Sequence, residues 1–189
     1  MRVTDSMTDF LTAWTGRAVR TEVLYAANAT LADTNDATVL DVLPGVHIQR
    51  RHVLLRAGET VVAEAESSVL ISSPALEPDV RDQLWNGASL GDALRTLHRR
   101  RVCVGIADAL GRAPSLAPDG NTAGAPDIAR LASGPTGDGD RRILSVHSRL
   151  DVGGIPVASV REYILEAVLQ NHVVHIPEPK RVAAPGSVG

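Results

Sequence analysis

The chain has one cysteine in 189 residues, so no intramolecular disulfide is available and stability has to come from a packed core. That residue, Cys103, lies in Val102-Cys103-Val104 and reads as a small core side chain rather than a nucleophile, because apolar surroundings raise a thiol's pKa. Aromatic residues make up only 3% of the chain, too few to build stacking platforms for single-stranded nucleic acid. Excess positive charge is lacking too: a net charge of -3 argues against a nucleic-acid partner and leaves one local basic patch, His98-Arg99-Arg100-Arg101. No apolar run approaches the roughly 18 residues of a membrane span, and the N-terminus has no apolar signal region. A cytoplasmic location without a membrane partner is therefore expected. A Gly-rich phosphate loop, a Cys or His metal cluster and a Gly-x-Ser-x-Gly elbow are all missing, so any chemistry is expected to run without a metal or other cofactor. His172 and His175 have neither a carboxylate nor a third histidine at ligand spacing and read as non-ligands.

What is present suits one soluble domain with its own core: 44% hydrophobic and 22% charged residues. The most informative stretch is Arg51 to Ile71, where two runs rich in apolar and β-branched residues flank the turn Ala57-Gly58-Glu59. That is the signature of a β-hairpin. Alternation puts Arg51 on one face with Val53 and Leu55, and His52, Leu54 and Arg56 on the other. The same grammar returns from Ile143 to Leu165, around Gly153-Gly154, with Ala158, Val160, Glu162 and Ile164 on one face and Ser159, Arg161 and Tyr163 opposite. Burying an unpaired carboxylate costs several kcal/mol, so Glu162 must be paired, protonated or turned to a lined cavity. Two readings of Arg51 and Glu162 stay open on pattern alone: groups at strand ends or in a buried ion pair, or the poles of a pocket for a small anionic molecule.

Around these hairpins the spacing predicts a short amphipathic helix on Phe10, Leu11 and Trp14 that ends at Gly16. Strands are expected at 19–25 and 37–43, and a helix on Val80, Leu84 and Trp85 that closes at Asn86-Gly87. Ser89 and Asp92 form a capping-box pattern that opens a helix as far as Leu97, with Arg95, His98, Arg99 and Arg100 as its solvated last turn. A strand follows at 102–106. The stretch 111–140 is dense in Gly, Pro, Ala and Asp and reads as an insertion within a domain of residues 1–176, with 177–189 a flexible tail. Hairpins followed by helices, with no βαβ rhythm, predict an α+β fold with an antiparallel sheet.

The order Asp5-Ser6-Met7-Thr8, Arg51-x-Val53-Leu54-Leu55, Leu90-Gly91-x-x-Leu94, Arg149-Leu150-x-x-Gly153-x-x-Pro156-Val157 and Glu162-Tyr163-Ile164-Leu165 resembles the chorismate pyruvate-lyase family. That family shares a superfamily with the ligand-binding UTRA domains. The resemblance implies a single domain in which helical flaps cover a buried ligand pocket on the sheet, and a cofactor-free elimination of pyruvate from chorismate to give 4-hydroxybenzoate. It gives Arg51 the role of binding a substrate carboxylate and Glu162 that of the acid, with backbone groups at Met7 and Leu90 holding the aromatic acid.

One position departs from the pattern. Glu66 stands where the lyases carry a second arginine, and a carboxylate there repels a dianion unless Arg50, Arg56 or Arg149 is recruited. The alternatives are another acid-catalysed elimination, rearrangement or cyclisation on the same fold, and a UTRA-like domain that binds a small molecule without turning it over. UTRA domains normally follow a winged-helix DNA-binding domain, and only a few residues precede Met7 here, which argues against a transcription factor and leaves a stand-alone sensor or partner-binding module open; a monomer or homodimer with a small carboxylic acid as its partner is expected.

Overall fold

Two glycine turns set the frame of the computed structural model, which describes residues 6–108 and 141–170. Strands β2 (His47–Ala57) and β3 (Thr60–Val69) are joined at Gly58, φ +64°, and β5 (Arg142–Val152) and β6 (Ile155–Leu165) at Gly153 and Gly154, φ +58° and +85°. Left-handed backbone of this kind favours glycine, so both expected hairpins form where the turn residues demand. With the edge strands β1 (Val19–Thr30) and β4 (Arg99–Asp108) they build one antiparallel sheet in the order β1-β2-β3-β6-β5-β4. The two hairpins meet in the middle, where Ala65 of β3 is opposite Glu162 of β6 and Ser67 is opposite Val160. The insertion at 111–140, the tail at 177–189, and His172 with His175 lie outside the described residues.

One face of the sheet carries most of the apolar packing. Helix α1 (Met7–Thr15) buries Leu11 against Val19, Leu55, Ala63 and Ile164, in a cluster that also takes Val168 from the terminal turn α5 (Ala167–Gln170). Its Gly16 adopts the left-handed cap with φ 64°, as expected of the helix stop. Phe10 and Trp14, expected on the buried stripe, are instead partly exposed and stack on each other with ring centroids 6.0 Å apart. Helix α3 (Pro78–Trp85) and the single turn α4 (Leu90–Ala93) bury Val80, Leu84, Ala93 and Leu94 against Val69, Val157 and Ala158. Removing a leucine side chain such as Leu84 or Leu94 from water is worth about 2 kcal/mol.

Four expectations are corrected by this arrangement. Residues 37–43 do not form a strand: helix α2 (Thr34–Leu40) stands there, its N-cap Asp33 accepting from the Asn35 N–H at 2.8 Å, and it lies on the opposite face of the sheet. The β-branched pair Thr38-Val39 suggested a strand, but Asp36, Ala37, Val39 and Leu40 are buried at helical spacing and tertiary burial decides. The helix at Ser89 is capped as expected, with Ser89 Oγ accepting from Asp92 N–H at 3.1 Å, but stops at Ala93. Leu94 is fully buried, and the chain then turns so that Arg99 to Arg101 start β4 instead of ending a helix. Cys103 is exposed rather than in the core, because β4 is the edge of the sheet and is bulged between Cys103 and Gly105. Lastly, β1 runs on past Tyr25 to Thr30.

Candidate functional site

Between the sheet and the helical segments α1 and α4 lies a cavity of about 110 Å³. That is room for on the order of ten water-sized groups. Its floor is the face predicted by strand alternation: Arg51, Val53 and Leu55 from β2, Ala65 and Ser67 from β3, Val160 and Glu162 from β6, and Leu150 from β5. Ser6, Met7 and Thr8 at the start of α1 and Ser89, Leu90 and Gly91 at the start of α4 close it, and Thr21, Arg99 and Arg101 complete the wall. Thus Arg51, Glu162, Met7 and Leu90 converge on one space. They come from four elements far apart in sequence.

Arg51 is 1% exposed although it carries a full charge. Its Nη1 donates to Gln49 Oε1 at 2.8 Å and to the Leu84 carbonyl at 2.9 Å, and its Nη2 donates to the Ala88 carbonyl, so the end of α3 and the turn after it hold the guanidinium in place. The exposed carbonyls at a helix C-terminus carry partial negative charge, which suits a cation. They do not neutralise it. Nε has no hydrogen-bond partner, and among the described residues no carboxylate is paired with Arg51. Burial accordingly pushes its pKa below that of an ordinary arginine. A guanidinium has five N–H donors in a planar fork, and with three bonds made, Nε and one Nη2 hydrogen are left over.

Glu162 is 5% exposed and forms an ion pair with Arg101 Nη2, while Arg101 Nε donates to Ser148 Oγ at 3.1 Å. Burial raises the Glu162 carboxyl above its ordinary pKa of 4.5, and the Arg101 charge and hydrogen bond offset that rise only in part. Arg99 donates from Nη1 to the Gly91 carbonyl at 2.8 Å, tying the β4 edge to α4 at the cavity rim. The lining therefore holds three guanidinium groups and a single carboxylate. Its other side chains are apolar or hydroxylic.

Two further positions expected at the site are placed elsewhere. Glu66 precedes Ser67 on β3, so its side chain points to the other face, where it borders a space of about 10 Å³ with Asp36, Arg50, Ser68 and Arg161. Arg149 precedes Leu150 on β5 and is turned away for the same reason, donating to Asp151 from Nε at 2.8 Å and Nη2 at 3.2 Å. Arg50 also lies on that far face, and Arg56 donates to Glu22 at 2.5 Å, so none of the three arginines suggested as substitutes lines the cavity. Arg99 and Arg101 do, and the sequence reading missed them. Their spacing of two, once the run is seen as a strand rather than a helix end, sends both side chains to one face. Among the described residues no group of three or more His, Cys, Asp or Glu side chains could hold a metal, and no helix is long and apolar enough to cross a membrane.

No known protein-family profile and no curated protein matches the chain. Solved structures do. A GntR-family transcriptional regulator from Bacillus cereus superposes with a TM-score of 0.52 at 12% identity, over 79% of this chain and 92% of that one. The ligand-binding domain of a GntR-family regulator from Bordetella bronchiseptica gives 0.51 at 16% identity, over 78% and 85%. PhnF from Mycobacterium smegmatis gives 0.51 at 16% identity, over 86% of this chain but 64% of that one. The fold is the UTRA fold. At these identities the likeness is one of architecture: a six-stranded antiparallel sheet with a few helices, as the resemblance implied. All three structures are regulators or their ligand-binding domains, and they give a carbon-oxygen lyase activity no support.

Proposed function

We propose that the chain is a binding domain for a small carboxylate with an apolar body, with Arg51 as the anchor for the acid group. The observation that carries this reading is the buried, unpaired guanidinium at the cavity wall. A buried cation without a counter-ion is costly, and a ligand carboxylate that reaches Arg51 from the cavity supplies the missing charge. Val53, Leu55, Leu90, Leu150 and Val160 would cover the apolar body. The kinship of fold with regulator ligand-binding domains supports binding without turnover over the lyase reaction.

The test is a thermal-shift and calorimetric screen of small carboxylic acids. An acid that binds the wild-type chain should lose at least tenfold in affinity in Arg51→Met, which keeps the volume and removes the fork. Undiminished binding in that variant would sink the reading.

A second reading rests on Glu162. A carboxyl held above its usual pKa beside a cavity is what an acid-catalysed elimination needs, as in the release of pyruvate from chorismate. Incubation with chorismate, following 4-hydroxybenzoate and pyruvate by chromatography, decides it. Turnover in the wild type that is absent in Glu162→Gln would establish the lyase, and no product with either protein leaves the binding domain.

A further inference from the structure

We propose that Ser67 sets the specificity of this site by reading a hydroxyl beside the ligand's acid group, so that the preferred ligand is a small cyclic acid with a hydroxyl on the ring position next to its carboxylate. This adds a ligand class to the carboxylate-binding reading above, on which it rests. Two ladder rows cross the cavity floor. In one, Arg51 of β2 is opposite Ser67 of β3, and Ser67 is opposite Val160 of β6. In the next, Val53, Ala65 and Glu162 stand in the same order. Ala65 and Ser67 are the smallest side chains of the floor, so β3 forms a shallow trench between the banks carried by β2 and β6. A one-ring body fits a trench of this kind, with Val53 and Val160 at its sides and Leu90 lining the space from α4.

Ser67 is the polar group of that trench. Opposed side chains of an antiparallel pair have Cβ atoms about 4.5–5.5 Å apart, so a ligand whose acid group lies at Arg51 places its neighbouring atoms over Ser67 and the rest of its ring over Ala65. Among the described residues the Ser67 hydroxyl has no hydrogen-bond partner. It is half-buried, which leaves it to water while the cavity is open. A ligand that covers it with a C–H strips that water and returns nothing, whereas a ligand hydroxyl can donate to it or accept from it. Sites built this way discriminate against the analogue that lacks the group. The other hydroxyls of the lining are placed or used differently. Thr21 belongs to the row of Leu55, two rows from Arg51, Ser6 and Thr8 come from α1, and Ser89 is committed to Asp92.

The test is calorimetry at pH 7 with benzoate, 2-hydroxybenzoate and 4-hydroxybenzoate on the wild type, Ser67→Ala and Ser67→Thr. Intrinsic differences between two acids cancel when their affinity ratio is compared between proteins. The preference for 2-hydroxybenzoate over benzoate should fall by about three- to tenfold from wild type to Ser67→Ala, the worth of one hydrogen bond. Ser67→Thr keeps the hydroxyl and should keep the ratio, whatever its extra methyl does to the affinity of all three acids. The ratio of 4-hydroxybenzoate to benzoate should be the same in wild type and Ser67→Ala. Benzoate binding with an unchanged 2-hydroxybenzoate ratio in Ser67→Ala overturns the assignment and leaves the carboxylate site standing. So does an equal weakening of both acids, which would make Ser67 a second anchor for the carboxylate itself, or a loss confined to 4-hydroxybenzoate. Failure of all three acids to bind the wild type overturns the carboxylate reading together with this one.

Discussion

The two faces of the sheet are built from the same residue types and treat charge in opposite ways. On the face covered by α2, Asp36 is 5% exposed and accepts from Ser68 Oγ at 2.9 Å, Ser159 Oγ at 3.0 Å and Arg161 Nη2 at 2.7 Å. Arg161 also reaches Asp33 at 3.0 Å, and His147 Nε2 meets Ser159 Oγ at 2.8 Å. Beside this network Glu64 is shared by His52 and Arg142, and Arg142 lies 3.9 Å over the ring of Tyr163. Each of these charges has a partner within the fold. On the cavity face Arg51 has carbonyls and an amide but no carboxylate. The back network is a fastener for α2, and the front is a charge pattern left open for something else.

The largest expected effect comes from breaking the closed face. Asp36→Ala leaves Ser68 buried without its acceptor, Ser159 with His147 alone and Arg161 with Asp33 alone, and should cost about 3 kcal/mol, read as a lower denaturant midpoint at unchanged slope. Arg51→Met removes an equally buried charge from the open face, yet it discards no ion pair. Relief of the buried charge offsets the loss of two carbonyl bonds, so its stability should stay within about 2 kcal/mol of wild type. If the two substitutions cost the same, the faces do not differ in the way described.

Acid separates the faces next. Burial works to raise Asp33 and Glu64, but Arg161 for the first, and His52 with Arg142 for the second, hold both below their ordinary values of 3.8 and 4.5. Burial and the Arg161 charge lower His147 from 6.5 against the pull of Asp36 and Asp33. Groups with depressed folded pKa values lend stability that is present above the unfolded pKa and disappears as pH falls through the folded one. The back face therefore weakens from about pH 6.5 downward, first through His147 and then through the carboxylates. Glu162 has the opposite sign. Its raised value gives a contribution that is full below 4.5 and is lost as pH rises through the folded pKa. Urea midpoints taken from pH 4 to 8 should show the Glu162→Gln variant gaining on the wild type as pH rises. A constant difference across that range would remove the opposition.

Much of the cavity floor was legible in the sequence because strand alternation is a two-valued code: once Arg51 stands in line with Val53, and Glu162 with Val160, they share a face wherever the strands end up. The same code sends Glu66 and Arg149 to the far face when read from Ser67 and Leu150. A correspondence between separate chains, matched by order and approximate spacing, overrode it. Arg99 and Arg101 were hidden for a different reason. The cap at Ser89 is real, and nothing local says that its helix lasts one turn, because what stops it is the burial of Leu94 under the sheet. The pairing of Arg101 with Glu162 spans 61 residues and three strands, and no local pattern encodes it. The strand misread at 37–43 has the same origin, since the burial that makes it a helix comes from Ile48 and Leu70.

The smallest effect gives the finest comparison, serine against serine. Ser68 and Ser148 are both nearly fully buried, and each makes a bond to a charged group, Ser68 donating to Asp36 at 2.9 Å and Ser148 accepting from Arg101 at 3.1 Å. Ser68→Ala takes a donor from a carboxylate that cannot move, because Arg161 and Ser159 hold it from β6, so one oxygen is left short and about 1.5–3 kcal/mol should be lost. Ser148→Ala frees one guanidinium nitrogen of a side chain that is 18% exposed and keeps Glu162, so water can replace the bond and the expected loss is about 0.5 kcal/mol. Paired urea titrations of the two variants resolve a difference of that size. A larger cost at Ser148 than at Ser68 would mean that Arg101 is fixed by the fold as rigidly as Asp36 is.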